Sequence, residues 1–131
     1  MKFGPFVCLP GSLAVVGIDG VDSWELHAQE LFNMQKNVPW WLGDLVVFGE
    51  ARFGDDFWQT VPEDIDLSML QRFAKVASLM PPADRIPELS WTHHSIALKI
   101  KDTNLRNAAL QMALKKCMDT KEFGKYIERY V

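Results

Sequence analysis

The sequence predicts a mainly α-helical protein: a helix-turn-helix multi-helix domain with a short N-terminal β-hairpin. Three observations carry that prediction. Apolar residues recur at helical spacing from Asp22 almost to the C-terminus. Ser and Asp starts alternate with Pro and Gly stops along that stretch. Only the first twenty residues break the pattern, being rich in Phe, Val, Gly and Pro. At 131 residues, 48% of them apolar and with five Trp and eight Phe, the chain reads as one domain with a real core.

Residues 1–20 form the hairpin, with Leu9-Pro10-Gly11-Ser12 turning between two apolar runs. A lone hairpin is marginal in water, so this segment must pack on helices or pair with another copy. It is therefore the first candidate for a homodimer contact. Asp22 and Glu25 then have the spacing of a capping box for a helix running to about Asn37. Pro39 stands at the first turn of a second helix, PWWLGDLVVFGEARFG, which Gly54 ends. Its Trp40, Trp41, Leu45 and Phe48 make it the bulkiest apolar segment, and Trp40 and Trp41, which could stack bases, are expected in the core instead because they sit in the acidic half with few Lys or Arg nearby. Gly43 and Gly49 each weaken a helix by ~1 kcal/mol relative to Ala, so they are expected where another element packs close.

Asp55 to Val61 reads as a short helix closed by Pro62, and PEDID leads from it to a helix over Leu67–Leu79. Helix, tight connection and helix over about 55–80 have the length of the DNA-binding motif. On the second of these helices Leu70, Phe73, Ala74 and Ala77 make a buried stripe. Ser68, Arg72 and Lys75 fall opposite the stripe, with Gln71 at its flank. This face holds no carboxylate, so it can donate to phosphates and base edges without repulsion. Beyond the double proline Pro81-Pro82, Ser90 caps a helix over WTHHSIALKIK. A wide apolar helix follows from Asn104 to Met118, and Asp119 with Glu122 opens the last one.

The net charge of −3 argues against an unspecific nucleic-acid binder, but its distribution is uneven. Residues 1–66 hold three Lys or Arg against eleven acids, a net −8, whereas residues 67–131 hold eleven against six, a net +5. The basic half contains the candidate reading helix. The acidic half suits a second class of function, a protein-interaction factor that inhibits or adapts a host protein on the same scaffold.

Signs of enzyme chemistry are thin: there is no GxxxxGK, GxGxxG or GxSxG. Adjacent His93 and His94 would point about 100° apart on a helix, so they cannot chelate one metal. The expectation is no enzyme, no metal and no cofactor. His94 is placed on the core side, with His93 and Thr92 on the open side, where His93 can hydrogen-bond a phosphate or a neighbouring helix. Cys8 and Cys117, two and far apart, fit a reduced, cytoplasmic chain, and no signal peptide or membrane span is read.

The runs WWLGDLVVFGEARFG, DLSMLQRFAKVASLMPP and ELSWTHHSIAL together resemble the DNA-binding segment of LmbU-type transcriptional regulators of actinobacteria and related phage proteins. Trp41, Gly43, Asp44, Gly49, Glu50, Gly54, Leu70, Val76, Ala77, Pro82, Arg85, Leu89, Ser90, Trp91, His93 and His94 follow the order and spacing of that family. More distantly, residues 40–131 are similar to the central domain of ParB-type partition proteins, where a reading helix precedes an LSxGHA helix. The resemblance implies a helical, cytoplasmic, sequence-specific DNA binder, and the expected function is a transcriptional regulator encoded by a phage or other mobile element. Its expected DNA contacts are Ser68, Gln71, Arg72 and Lys75 on the reading helix, with Arg85, Thr92, His93, Lys99 and Lys101 around it. Here the chain departs from the family pattern in two places. Asp55, Asp56, Glu63, Asp64 and Asp66 make the connection more acidic, and Arg85 is the one base left beside the double proline.

Overall fold

The computed structural model describes residues 1–17 and 20–130. Ile18, Asp19 and Val131, which the hairpin and last-helix readings include, lie outside them. The described chain is mainly helical with a small antiparallel sheet at the N-terminus, as its fold class predicts. It divides into two compact units, Met1–Asn37 and Val38–Val131.

In the first unit the hairpin gains a third strand. β1 (Lys2–Phe3), β2 (Phe6–Leu9) and β3 (Ser12–Val15) pair in the order β1-β2-β3, both pairs antiparallel. Leu9 faces Ser12 across the expected Pro10-Gly11 turn, where Gly11 takes the positive φ of 76° that a two-residue connection requires. Phe6 is the buried anchor of this sheet, and its ring meets Trp24 edge-on with centroids 4.8 Å apart.

α1 spans Val21–Phe53 as one helix, where the sequence suggested two. Pro39 removes one N–H from the ladder, and helical hydrogen bonding resumes beyond it. Asp22 sits inside the first turn rather than at the cap, where its carboxylate faces the positive end of the helix dipole. Gly54, at φ +60°, ends the helix.

In the second unit, the expected short helix at Asp55–Val61 is a 3-10 segment, Gly54–Thr60. Two local bonds favour the tighter winding. Thr60 Oγ1 donates to the carbonyl of Phe57 at 2.6 Å, and Val61 N–H reaches back three residues to Trp58. α2 (Leu67–Leu79) then runs over the predicted span, with Leu70, Phe73, Val76 and Ala77 buried. Asp66 caps it by accepting from the N–H groups of Ser68 and Met69. α3 (Trp91–Ala97) is shorter than its sequence suggested, so Lys99 and Lys101 fall on the connection to α4 (Thr103–Lys115). α5 (Thr120–Glu128) closes the unit from its Asp119 cap.

One core joins Met80, Leu89, Ala97, Ile100, Leu110, Phe123 and Ile127, and a smaller one joins Val46, Phe57 and Leu70. The two helical glycines have the close-packing role expected of them. A Cβ on Gly43 would lie 2.5 Å from the backbone oxygen of Phe73, and one on Gly49 would lie 2.5 Å from the Phe57 ring. α1 and α2 therefore touch backbone to backbone at Gly43.

Candidate functional site

The solvent side of α2 opens onto a groove of about 610 Å³, lined by Arg72, Lys75, Val76 and Leu79 from α2. Ser95 of α3, Leu98, Lys99 and Lys101 of the α3–α4 connection and Arg106 of α4 complete it. Five of its nine lining residues are cationic and none is acidic. Arg72, Lys75, Lys99 and Lys101 are exposed, and among the described residues none of them forms an ion pair. Arg72 is steered by aromatic neighbours, its guanidinium carbon lying 5.9 Å from the Phe73 ring centroid and 6.0 Å from that of Trp91.

Arg106 forms the floor. Although 92% buried by its 8% exposure, it is paired with no carboxylate among the described residues. Its Nε donates to the carbonyl of Ile100 at 2.9 Å, and its terminal nitrogens reach the carbonyls of Leu79 and Lys101 at 3.5 and 3.4 Å. These carbonyls hold the guanidinium in place without neutralising it, so its charge adds to that of the exposed cations. Sequence reasoning missed this residue. The signal was available: Arg106, Ala109, Leu110 and Ala113 recur at i, i+3, i+4 and i+7, which puts one cation on the buried stripe of α4.

The other expected contacts divide. Lys75 also lines a shallow depression of about 430 Å³ on the opposite flank of α2, together with Gln71, Ser78, Glu50 and Trp58. Gln71 is thus exposed but faces away from the cationic groove. Ser68 is exposed as well, and its hydroxyl donates to Asp66 Oδ1 at 2.8 Å. That bond, followed by the one from the Met69 N–H, holds the Asp66 carboxyl below its ordinary range. Thr92 is exposed in the first turn of α3.

His93 and Arg85 depart from the expectation. His93 is buried, not on the open side. Its Nδ1 accepts from the Ser90 N–H while Ser90 Oγ accepts from the His93 N–H, a reciprocal cap. Its Nε2 then donates to the carbonyl of Met118 at 2.8 Å, tying α3 to the connection between α4 and α5. His94 is fully buried on the core side, as expected, but with the opposite tautomer: Nε2 accepts from the Ile86 N–H and Nδ1 donates to the Ser90 carbonyl. Arg85 makes a two-pronged pair with Asp44 of α1, both bonds at 2.9 Å. Its other donors serve the carbonyls of Met80 and Ala77 at the end of α2, and the Trp40 ring lies 4.3 Å from its guanidinium. This arginine closes a helix terminus and has little left to offer a phosphate.

Trp41 also differs from its expected core position. Trp40 packs against His94 edge-on at 5.1 Å, whereas Trp41, one position on, is 53% exposed. Neighbouring helical positions point about 100° apart, so the two tryptophans cannot share one side. Among the described residues no group of three or more His, Cys, Asp or Glu could hold a metal ion. No described helix is long and apolar enough to cross a membrane.

Over 75 residues, 56% of its length, the chain is 36% identical to a protein of Streptomyces niveus named transcriptional regulator NovE. It spans 35% of the length of that curated relative. No protein-family model matches the chain, and no solved structure does.

Proposed function

We propose that this chain is a DNA-binding transcriptional regulator that lays α2 and the α3–α4 connection against duplex DNA. The observation that carries the reading is the groove of Arg72, Lys75, Lys99, Lys101 and Arg106, which is open, cationic and lined by no carboxylate. A phosphate backbone is the polyanion such a strip fits, and counterion release would supply most of the affinity. Arg72 is the side chain best placed to reach a base edge, since guanidinium pairs with guanine in the major groove. The similarity to a protein named a transcriptional regulator supports the same reading. The net −3 of the chain limits unspecific attraction, so binding of this kind favours chosen sequences over bulk DNA.

The test is selection from random duplex followed by anisotropy titration over a range of salt. A recovered motif bound with a steep negative salt slope is the expected result. Replacing Lys99 and Lys101 together with Ala should flatten that slope by about 2 and weaken all sequences alike. No binding to any duplex at low salt would overturn the proposal and leave the acidic half, with a basic host protein as partner, as the surface to pursue.

A further inference from the structure

The cationic groove beside α2 has features that a duplex backbone does not call for. Its floor, Arg106, shows only 8% of its surface. A guanidinium carries five N–H groups, and bonds to the carbonyls of Ile100, Leu79 and Lys101 account for three of them. The other two have no partner among the described residues, which leaves them for a ligand that enters the groove. The walls are partly apolar as well. Val76 and Leu79 of α2 and Leu98 of the α3–α4 connection line it between the charged side chains. At about 610 Å³ the hollow has the size of a small-ligand site, and apolar walls with a few converging charges are the usual make-up of one. The backbone of a duplex is broad and convex, so it meets the exposed rim of Arg72, Lys75, Lys99 and Lys101 before it meets the floor.

We infer that the groove binds a nucleoside polyphosphate, its phosphates on Arg106 and the rim cations and its base against Val76, Leu79 and Leu98. Charge and shape select this class together. Five cations and no carboxylate suit a chain of phosphates better than a single one. A sugar phosphate would leave the apolar walls bare, and a fatty acid would leave most of the cations unmatched. A nucleotide uses both. Binding of the nucleotide stands whether or not the groove also takes DNA. Its regulatory consequence rests on the DNA reading: a bound nucleotide occupies Arg72, Lys75, Lys99 and Lys101 and so competes with duplex.

Isothermal titration calorimetry of the full chain at low salt decides it, with ATP, UTP, inorganic triphosphate and adenosine as probes. At least one nucleotide should bind with a Kd of roughly 10–100 μM. Inorganic triphosphate should bind about 10-fold more weakly, and adenosine more weakly again. Leu79→Ser, at an exposed position, removes wall and no charge, so it should cost the nucleotide about 10-fold and inorganic triphosphate nothing. Lys99→Ala with Lys101→Ala should weaken both probes alike. Arg106→Gln should weaken the nucleotide by about 100-fold. Since Arg106 also ties α4 to the end of α2, its circular dichroism is checked, and the Leu79 and lysine variants decide the matter if it unfolds. No saturable binding of either nucleotide would overturn the inference. So would equal affinities for nucleotide and inorganic triphosphate that Leu79→Ser leaves unchanged, which would make the groove a plain polyanion strip. Either result leaves DNA binding standing, whereas nucleotide binding without any duplex binding would remove the DNA reading and keep this site.

Discussion

Arg85 and Arg72 lie thirteen positions apart in one compact unit, and their surroundings differ as much as two arginines on one small protein can. Arg85 is wrapped by Asp44, Trp40 and two helix-end carbonyls. Arg72 stands exposed beside two aromatic rings and makes no ion pair among the described residues, Asp66 attracting it only weakly from a longer distance. The first kind of arginine is consumed in building the fold, and the second is left available by it. The same division runs through the whole unit. Gly43, Asp44, Arg85, Ser90, His93 and His94, all members of the signature that suggested a family, meet one another or the backbone in the interior. The residues that could read a ligand are mostly outside that signature. A recognisable sequence pattern here marks a scaffold, and the function must be read from what the scaffold leaves uncommitted.

The division is broken most directly by substitutions that should affect stability alone. His94→Leu keeps the volume but strands the half-buried Ile86 N–H and leaves the Ser90 carbonyl with only the backbone N–H of residue 94. A loss of about 3 kcal/mol is expected, read as a fall in the urea midpoint. Arg85→Ala comes next. It frees Asp44 and two carbonyls in a partly exposed site, so about 2 kcal/mol is expected, with Asp44→Ala close behind and the double variant far from additive. Affinity of the folded Arg85→Ala protein for a selected duplex should match the wild type. A selective loss of DNA affinity at unchanged stability would return Arg85 to the binding surface.

Arg72→Ala is the mirror image. Its stability should change by less than about 0.5 kcal/mol, as for other exposed positions, while affinity for a selected duplex falls by about 1–3 kcal/mol and discrimination relaxes at one base pair. If Arg72→Ala instead unfolds at a much lower urea concentration, the contrast between the two arginines fails.

How much of this was legible depended on whether the controlling interactions were local. The α2 boundaries and three members of its buried stripe, Leu70, Phe73 and Ala77, follow from spacing within a dozen residues and were legible, whereas Val76 takes the buried place expected of Ala74 and the Asp66 cap was not singled out. The same rules placed Gly43 and Gly49 at close contacts. The continuity of α1 through Pro39 was not legible, because a proline that could start a helix can also sit within one. His93 was misread for another reason. Helical periodicity gives the direction of a side chain, but the carbonyl of Met118 that accepts its hydrogen bond lies 25 positions away. Arg85 fails in the same way, its Asp44 partner being 41 positions distant. A charge in the sequence does not announce whether it is already matched across the fold.

The mildest prediction concerns Asp66, the carboxylate at the start of α2. Its side chain accepts from the Ser68 hydroxyl and from the Ser68 and Met69 N–H groups, which favours the charged form in the folded state. The folded pKa therefore lies below the ordinary 3.8, which stands for the unfolded chain. A carboxyl shifted in that direction contributes its stabilisation above the unfolded value and loses it as pH falls through the folded one. Asp66→Ala should accordingly lower Tm slightly at neutral pH, with the difference from wild type shrinking once the pH drops below about 4. Asn can cap the helix without a charge, so Asp66→Asn should retain most of the neutral-pH stability and show little of this pH dependence. Were the acid serving instead to hold Arg72 as an ion pair, both variants would lose the same stability. DNA affinity would then rise in both as Arg72 was released. Unchanged affinity in the Asn variant would place Asp66 with the scaffold and leave Arg72 uncommitted.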